Sequence, residues 1–293
     1  MKAVRTGVDS LMGIVSRKYI AGPTLDDAAR VGQLLAARGY WLTLGYWNSS
    51  EDSADSVLET YLASCASLAR VGGRGYLSIK IPALDYDSEK FRLLECTSRQ
   101  SGVPLHFDAL ETANASAMFD FIADHVARSG DDTGCTLPGR WRRSLRDAER
   151  AIDLGLIVRV VKGQTPDPAD PARDPRVGYV EVVRALAGRA KRVRVATHDP
   201  VLARQSLTIL KAANTPCELE LLYGLPVGGQ VVLAEELGVP IRVYVAFGHA
   251  FLPYALASLR RHPDAVFRLL KEATRGDCLS TFPDLGSRRG LAA

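Results

Sequence analysis

Ile241-Arg-Val-Tyr-Val-Ala-Phe-Gly248 decides the fold, because it contains the last of eight short apolar, β-branched runs in this 293-residue chain. Runs of this length without clean polar alternation are typical of parallel strands buried on both faces. The eight predicted strands cover residues 41–47, 75–81, 104–108, 133–137, 156–162, 193–197, 218–222 and 241–245. We therefore expect a sheet of eight buried strands.

Segments with helical periodicity separate these runs, for example residues 56–70, 180–186 and 200–213. In residues 144–154, Ser144 is the predicted N-cap, Asp147 completes a near capping box and Gly155 ends the helix. Alternating strands and helices predict an α/β fold, a (β/α)8 TIM-type barrel, over residues 41–285. A helical segment precedes it (residues 1–40), and a disordered tail follows (residues 286–293).

A doubly wound sheet is the structural alternative. Its glycine-rich first turn would follow a strand, whereas Val71-Gly-Gly-Arg-Gly75 precedes one and is predicted to be a loop. Thr165–Pro175, rich in proline and aspartate, follows strand five, where barrels place active-site loops, and is predicted to be a lid or mobile flap.

The composition indicates a soluble globular protein. Hydrophobic residues make up 47% and charged residues 24%, with a formal net charge of +4. Basic clusters such as Arg140–Arg143 lack the aromatic array of an RNA-binding module, so no nucleic-acid partner is expected. The five cysteines include no Cys-x-x-Cys pair and predict reduced thiols in a cytoplasmic protein. No apolar window is long enough for a membrane span.

Polar side chains lie at the C-terminal ends of the predicted strands, where barrel active sites are built. They are Lys80, Asp108, Arg159, Lys162, Thr197, His198, Glu220, Tyr223 and Tyr244, and Gly163 directly follows Lys162. Arg159 and Lys162 interrupt an apolar run, where a charge is costly unless it is paired or functional. Together they suit an anionic group such as a pyrophosphate, to which Thr197 and His198 add hydrogen bonds.

Structural interpretations stay open beside these functional ones. Lys80 can form an ion pair of the barrel with Asp108 or Glu111, and His198 can be a histidine that is satisfied at the mouth. His106, Asp108 and His198 could together hold a metal ion. No short ligand spacing supports that, and no metal is predicted.

In order along the chain, these motifs resemble those of the proline dehydrogenase family, from about Arg17 to about Leu285. The similar segments are Ser78-Ile-Lys80-Ile, Phe107-Asp108-Ala-Leu-Glu111, Val158-Arg159-Val-Val-Lys162-Gly163, Ala196-Thr197-His198-Asp199 and Glu218-Leu-Glu220-Leu-Leu-Tyr223-Gly224. The resemblance implies a distorted (β/α)8 barrel that holds FAD. It places Lys80 at the substrate carboxylate, and it places Arg159, Lys162, Gly163, Thr197, His198, Glu220 and Tyr223 at the cofactor.

The chain departs from the family at the site itself. Ala257 and Ser258, after Tyr254, stand where the family has two arginines that bind the substrate carboxylate. Charged hydrogen bonds contribute roughly 1.5–3 kcal/mol each, so their loss disfavours free proline as substrate. Pro138, Gln164 and Glu220 also depart from the family pattern near FAD and put its binding in doubt. Glu220 would oppose flavin reduction unless it is protonated or paired.

We therefore expect an FAD-dependent oxidoreductase that oxidises a C–N bond of an amine or imino-acid-like substrate other than free proline, in a biosynthetic pathway. Lys80 holds the polar end of the small-molecule substrate, and Asp108 orients Lys80. Tyr244 and Tyr254 wall the pocket. The electron acceptor is unknown. A flavin-free barrel with a binding, regulatory or non-redox role is the alternative, favoured by Glu220 and Pro138.

Overall fold

A computed structural model describes residues 20–129, 132–249 and 278–285. In this part of the chain, eight parallel strands close into a barrel in sequence order, and the last strand pairs with the first. The strands are Trp41–Trp47 (β1), Gly75–Ile79 (β2), Leu105–Phe107 (β3), Gly134–Pro138 (β4), Ile157–Val161 (β5), Arg192–Ala196 (β6), Cys217–Leu222 (β7) and Ile241–Gly248 (β8). The predicted (β/α)8 barrel is confirmed, and the doubly wound alternative is wrong.

Among the described residues, one helix precedes β1, and a helix follows each strand from β1 to β7. The helices are Leu25–Ala37 (α1), Ala54–Ala69 (α2), Ser88–Ser101 (α3), Ala115–Ser129 (α4), Ser144–Asp153 (α5), Pro175–Leu186 (α6), Pro200–Ala212 (α7) and Gly228–Leu237 (α8). Short 3₁₀ turns lie at Ile81–Leu84, Thr112–Asn114 and Cys278–Thr281. No described helix is both long and apolar enough to cross a membrane.

Alternation along each strand separates two environments. In β5, Val158 and Val160 face outward and join the apolar core beneath the helices. Arg159, between them, faces the barrel axis, where it bonds side chains of β2, β4 and β7. The apolar core therefore forms a ring around the barrel, and polar side chains lie along its axis.

The start of α5 differs from its prediction. Ser144 is the first helical residue, and Arg143, which makes no capping hydrogen bond, takes the N-cap position. The Ser144 hydroxyl instead donates to the carbonyl oxygen of Pro138 (2.6 Å), which ties α5 to the end of β4. Gly155, at a φ of 64°, ends the helix as predicted.

Residues 278–285 pack beside the start of the barrel. Arg38 donates to the carbonyl oxygens of Leu279 and Phe282, and the Tyr40 hydroxyl donates to that of Pro283 (2.9 Å). The predicted tail, residues 286–293, and residues 1–19 of the predicted helical segment lie outside the described residues.

Candidate active site

The barrel axis is filled with charged and polar side chains, where barrels usually carry branched apolar ones. The set comprises Thr43, Tyr76, Ser78, His106, Asp108, Thr136, Arg159, Arg194, Glu218, Glu220 and Arg242. Its three guanidinium groups match its three carboxylates in number. The network is therefore electrically balanced. Such balance is expected, because buried charges persist only when they are paired and hydrogen-bonded.

The lower layer, which we define as Tyr76, Arg194, Glu218 and Arg242, lies towards the N-terminal ends of the strands. Glu218 accepts from Arg194 (2.6 Å) and Arg242 (3.1 Å). Burial alone would raise the pKa of Glu218, but Arg242 and Arg194 outweigh it and hold the pKa below its usual value. The guanidiniums of Arg194 and Arg242 lie 3.8 and 4.6 Å from the Tyr76 ring centroid, within the range of cation–π contacts.

His106 connects this layer to the next one. Its Nδ1 accepts from Arg194 (3.1 Å), which assigns the ring proton to Nε2, 2.9 Å from the Thr136 hydroxyl. Burial, followed by the positive charges of Arg159 and Arg194, lowers the pKa of His106 well below its usual value. The ring is therefore a neutral part of the network.

Arg159 occupies the centre of the barrel. It forms ion pairs with Asp108 and with Glu220 (3.4 Å), and its Nη2 also donates to Thr136 (2.9 Å). Burial opposes its charge, but Asp108 leads the groups that raise its pKa well above the usual value. Because these donors are already bonded, the structure argues against the predicted contact of Arg159 with a pyrophosphate.

Glu220, predicted beside a flavin, is fully buried in the same network. Its Oε1 accepts from the hydroxyls of Thr43 (2.9 Å) and Tyr76 (2.7 Å), in addition to the pairing with Arg159. This carboxylate is therefore paired. A protonated or a paired Glu220 would not oppose flavin reduction, and the structure has the paired form.

Tyr244 covers the network at the mouth, which we define as Lys80, Asp108, Arg159 and Tyr244. The Arg159 guanidinium lies 5.1 Å from its ring centroid, and its hydroxyl lies 3.4 Å from Asp108 Oδ2. A Cβ on Gly45 would come within 2.0 Å of that hydroxyl. The absence of a side chain on β1 at this point makes room for the tyrosine.

Lys80 is half-buried and has only neutral hydrogen-bond partners among the described residues. Its Nζ donates to the carbonyl oxygen of Tyr46 (2.6 Å) and to Asn48 Oδ1 (3.4 Å). Burial lowers its pKa to about 8, although Asp108 raises it in part. Asp108 does not hold Lys80 as predicted, because its carboxylate is bonded to Ser78 (2.8 Å) and Arg159.

His198 is satisfied at the mouth, as the structural interpretation has it. Its Nδ1 donates to the carbonyl oxygen of Pro226 (3.2 Å), and its Nε2 accepts from the backbone of Leu222 (2.8 Å). Burial lowers its pKa to about 4, so the ring is neutral. With both nitrogens bonded, the predicted hydrogen bond from His198 to a cofactor phosphate has no free donor.

The other predicted site residues have varied environments. Lys162 is exposed at the end of β5, and Gly163, at a φ of 88°, packs so closely on Pro138 that a Cβ would come within 2.8 Å of it. The buried Thr197 hydroxyl accepts from the backbone of Asp199 (3.1 Å). Tyr223 stacks on Phe282. Tyr254, Ala257 and Ser258 lie outside the described residues.

The proline-rich loop, predicted to be a lid or mobile flap, is hydrogen-bonded to the turn after β4. Asp167 is buried and accepts from the backbone of Arg142 (2.8 Å) and Ala169 (2.9 Å). The Trp141 indole donates to the carbonyl oxygen of Thr165 (3.0 Å). The bonds to Trp141 and Arg142 join the loop after β5 to the turn after β4. These two segments are neighbours because β4 and β5 pair in the barrel.

Sequence reasoning missed the lower layer. Arg194, Glu218 and Arg242 each lie in a predicted strand, at alternate positions with apolar residues. Three neighbouring strands that each carry a charge on the inward side were the available signal. The described residues include no cluster of three or more metal-ligating side chains.

The fold of this chain matches that of proline utilization A (PutA) structures. PutA from Bdellovibrio bacteriovorus, inactivated by N-propargylglycine, superposes with a TM-score of 0.70 at 17% identity, over 97% of this chain and 36% of that one. PutA from Corynebacterium freiburgense gives 0.68 at 14% identity, over 94% and 33%. A PutA variant from Bradyrhizobium japonicum gives 0.68 at 18%, over 97% and 33%.

This chain shares their fold. It spans about a third of the length of these proteins, and identities of 14–18% establish the fold alone. No protein-family model and no curated protein sequence matches the chain. The resemblance to proline dehydrogenases seen in the sequence is thus confirmed at the level of the barrel.

Two cationic groups on the rim between β4 and β5 fit the phosphates of a dinucleotide. Lys162 is exposed, and the Nε atom of Arg140 is buried without a hydrogen-bond partner among the described residues. The Arg140 backbone donates to the Lys162 carbonyl oxygen (3.0 Å), so the two residues lie side by side. A buried donor without a partner is costly, and a phosphate oxygen would satisfy it. Arg140 was missed by the sequence analysis.

Proposed function

We propose that this protein is an FAD-dependent oxidoreductase that oxidises a C–N bond of an amine or imino-acid-like substrate other than free proline. The observation that carries the proposal is the convergence of Lys80 and Asp108, which follow the ends of β2 and β3, with Arg159 of β5 and Tyr244 of β8 at one barrel mouth. The fold shared with proline utilization A supports it.

Arg140 and Lys162 would hold the phosphates of FAD on the rim. Thr197 follows the end of the next strand, β6. When bound, the flavin supplies the acceptor for a hydride from the carbon next to nitrogen. Glu220 is compatible with that chemistry, since its charge is balanced by Arg159 and stabilised by the Tyr76 hydroxyl.

Lys80 would receive the substrate nitrogen's proton. An amine must be neutral before its carbon can give up a hydride, and a lysine with a pKa of about 8 is a suitable base near neutral pH. Tyr244 would form the wall of the pocket over Arg159, and Asp108 would hold Arg159 and the Tyr244 hydroxyl in place.

The ion pairs of Arg159 at the mouth support a substrate without a free carboxylate. Arg159 is bonded to Asp108 and Glu220, so it has no free face for a carboxylate. The two residues at the positions of the family's arginine pair, Ala257 and Ser258, carry no charge. A cytoplasmic location, a biosynthetic role and the electron acceptor stay predictions from the sequence.

The first experiment is the absorption spectrum of the purified full chain between roughly 350 and 500 nm, before and after addition of FAD. We expect flavin bands, and bleaching of those bands by prolinamide, which lacks the free carboxylate, but not by proline. Arg140→Met should weaken FAD binding, with Arg142→Met as the exposed neighbouring control. A colourless protein that binds no added FAD would end the proposal.

A flavin-free barrel with a binding or non-redox role is the second candidate. The hydrogen bonds of both His198 nitrogens favour it, because they remove one predicted cofactor contact. Pro138 favours it too, since proline provides neither a side-chain amide nor a backbone donor. The same absorption spectrum separates the two candidates.

A further inference from the structure

We infer that the Lys80 amine condenses with an aldehyde or ketone at the barrel mouth to form an imine. The inference goes beyond the proposed oxidation and does not need a flavin. It rests on the atoms around Nζ, on their contrast with other lysines of the chain and on the position of Lys80 at the mouth.

The partners of Nζ match a neutral amine. An ammonium group has three N–H donors, whereas a neutral amine has two and a lone pair. The Tyr46 carbonyl oxygen (2.6 Å) and Asn48 Oδ1 (3.4 Å) are two acceptors. No carboxylate oxygen of the described residues lies within 4.0 Å of Nζ. These acceptors suffice for both hydrogens of the amine, and the described residues provide no further acceptor for a third.

Lys90 shows the opposite arrangement on the next helix, α3. Its Nζ lies 2.5 Å from Asp55 and 3.6 Å from Asp87, and these carboxylates raise its pKa. Two negative charges hold Lys90 as an ammonium, which has no lone pair for attack on a carbonyl. The protein therefore contains a protonated lysine and a lysine suited to the neutral form within a short stretch of chain.

The electrostatics around Lys80 agree with its geometry. Burial lowers its pKa to about 8, and Asp108 limits the shift. Near pH 7, the free-amine fraction is then on the order of a hundredfold larger than for a lysine in solvent. Desolvation of a lysine is a known way to make it a nucleophile towards carbonyl compounds.

The step balances without another reactant. The nitrogen lone pair forms a bond to the carbonyl carbon, the carbonyl oxygen takes both amine hydrogens and leaves as water, and a C=N bond remains. Oxidation of a C–N bond gives an imine, which water hydrolyses to an aldehyde or ketone. The proposed reaction therefore determines which class of carbonyl compound Lys80 meets. Products of the proposed reaction are therefore one source of ligand for Lys80, and external carbonyl compounds are another.

The test is reductive trapping on the full chain with propanal and sodium cyanoborohydride at about pH 7. Trypsin does not cleave after alkylated lysine, so trapping at Lys80 joins residues 75–80 and 81–90 into one peptide. We expect this peptide to form at least about tenfold faster than modification of Lys162, which is exposed. The rate at Lys80 should rise with pH through about 8, as the amine loses its proton.

Matched variants sharpen the test. Lys80→Arg keeps a cation but should abolish the joined peptide, whereas Lys191→Arg, at an exposed lysine outside the proposed site, should leave its rate unchanged. If Lys80→Arg does not fold, the relative rates at Lys80, Lys90 and Lys162 in the natural chain still decide the matter. Equal or slower modification of Lys80 than of Lys162 overturns the inference. Because trapping needs no flavin, this failure is distinct from the absence of bound FAD.

Discussion

The lower layer and the mouth of the barrel treat charge in different ways. In the lower layer, the single carboxylate of Glu218 is shared by Arg194 and Arg242, so each charged group there lies in an ion pair. At the mouth, Lys80 has two neutral acceptors, and its charge is disfavoured by burial. The polar interior therefore contains a layer in which each charged group is ion-paired, and a mouth at which burial lowers the pKa of Lys80 and its two acceptors are neutral.

Removing the shared carboxylate of the lower layer should have the largest effect on stability. Glu218→Gln keeps the shape but leaves the guanidiniums of Arg194 and Arg242 without a charged partner. Loss of one member of a buried ion pair costs about 3–5 kcal/mol. Urea denaturation of the variant and the natural chain measures the difference in unfolding free energy.

The control for Glu218→Gln is Glu149→Gln, which removes a carboxylate from the exposed pair with Arg189. We expect no measurable change there, because solvent screens the pair. Equal stability of Glu218→Gln and the natural chain would show that the lower layer does not depend on its ion pairs, and the contrast with the mouth would disappear.

Crowding of the mouth should have a smaller effect on stability. In Gly45→Val, the new side chain would occupy the position of the Tyr244 hydroxyl, 2.0 Å from the expected Cβ. Overpacking of this kind costs about 1–3 kcal/mol, and displacement of Tyr244 should also change the trapping rate at Lys80. Urea denaturation and the tryptic assay measure the two effects.

Gly229→Ala is the matched control, since no atom lies within 4 Å of its expected Cβ, and alanine favours a helix. It should keep both stability and trapping. A Gly45→Val protein with an unchanged trapping rate would mean that Tyr244 does not shape the environment of Lys80.

The barrel could be predicted because each strand carries its own local signal. The runs at residues 41–47 and 156–162 are short, apolar and bounded by turns, and the strands Trp41–Trp47 and Ile157–Val161 lie within them. The end of β8 was placed too early, at residue 245 instead of Gly248, because pairing with β1 over seven residues extends it. Boundaries of this kind depend on the neighbouring strand.

The partners inside the barrel could not be predicted, since they come from distant parts of the chain. Thr43 and Glu220 are 177 positions apart, and nothing local identifies one as the partner of the other. Lys80 was correctly selected as a site candidate, but its closest acceptor is the backbone oxygen of Tyr46, which any residue would provide. A sequence pattern can mark a charged residue on a strand without showing whether its partner is a charge.

The smallest effect is expected at the rim, where a carboxylate is balanced by backbone amides. Asp167→Asn replaces one acceptor of Asp167 by an amide donor, so one of the two N–H groups, of Arg142 or Ala169, loses its partner. The cost is about 1 kcal/mol, because Arg142 is exposed and water can replace the bond in part. The loop should also become easier to cut, which limited proteolysis followed by mass spectrometry detects.

Asp170→Asn is the control within the same loop, and equal cleavage of the two variants would show that Asp167 does not anchor it. A loop that opens without a change in Lys80 trapping would further separate the rim from the mouth.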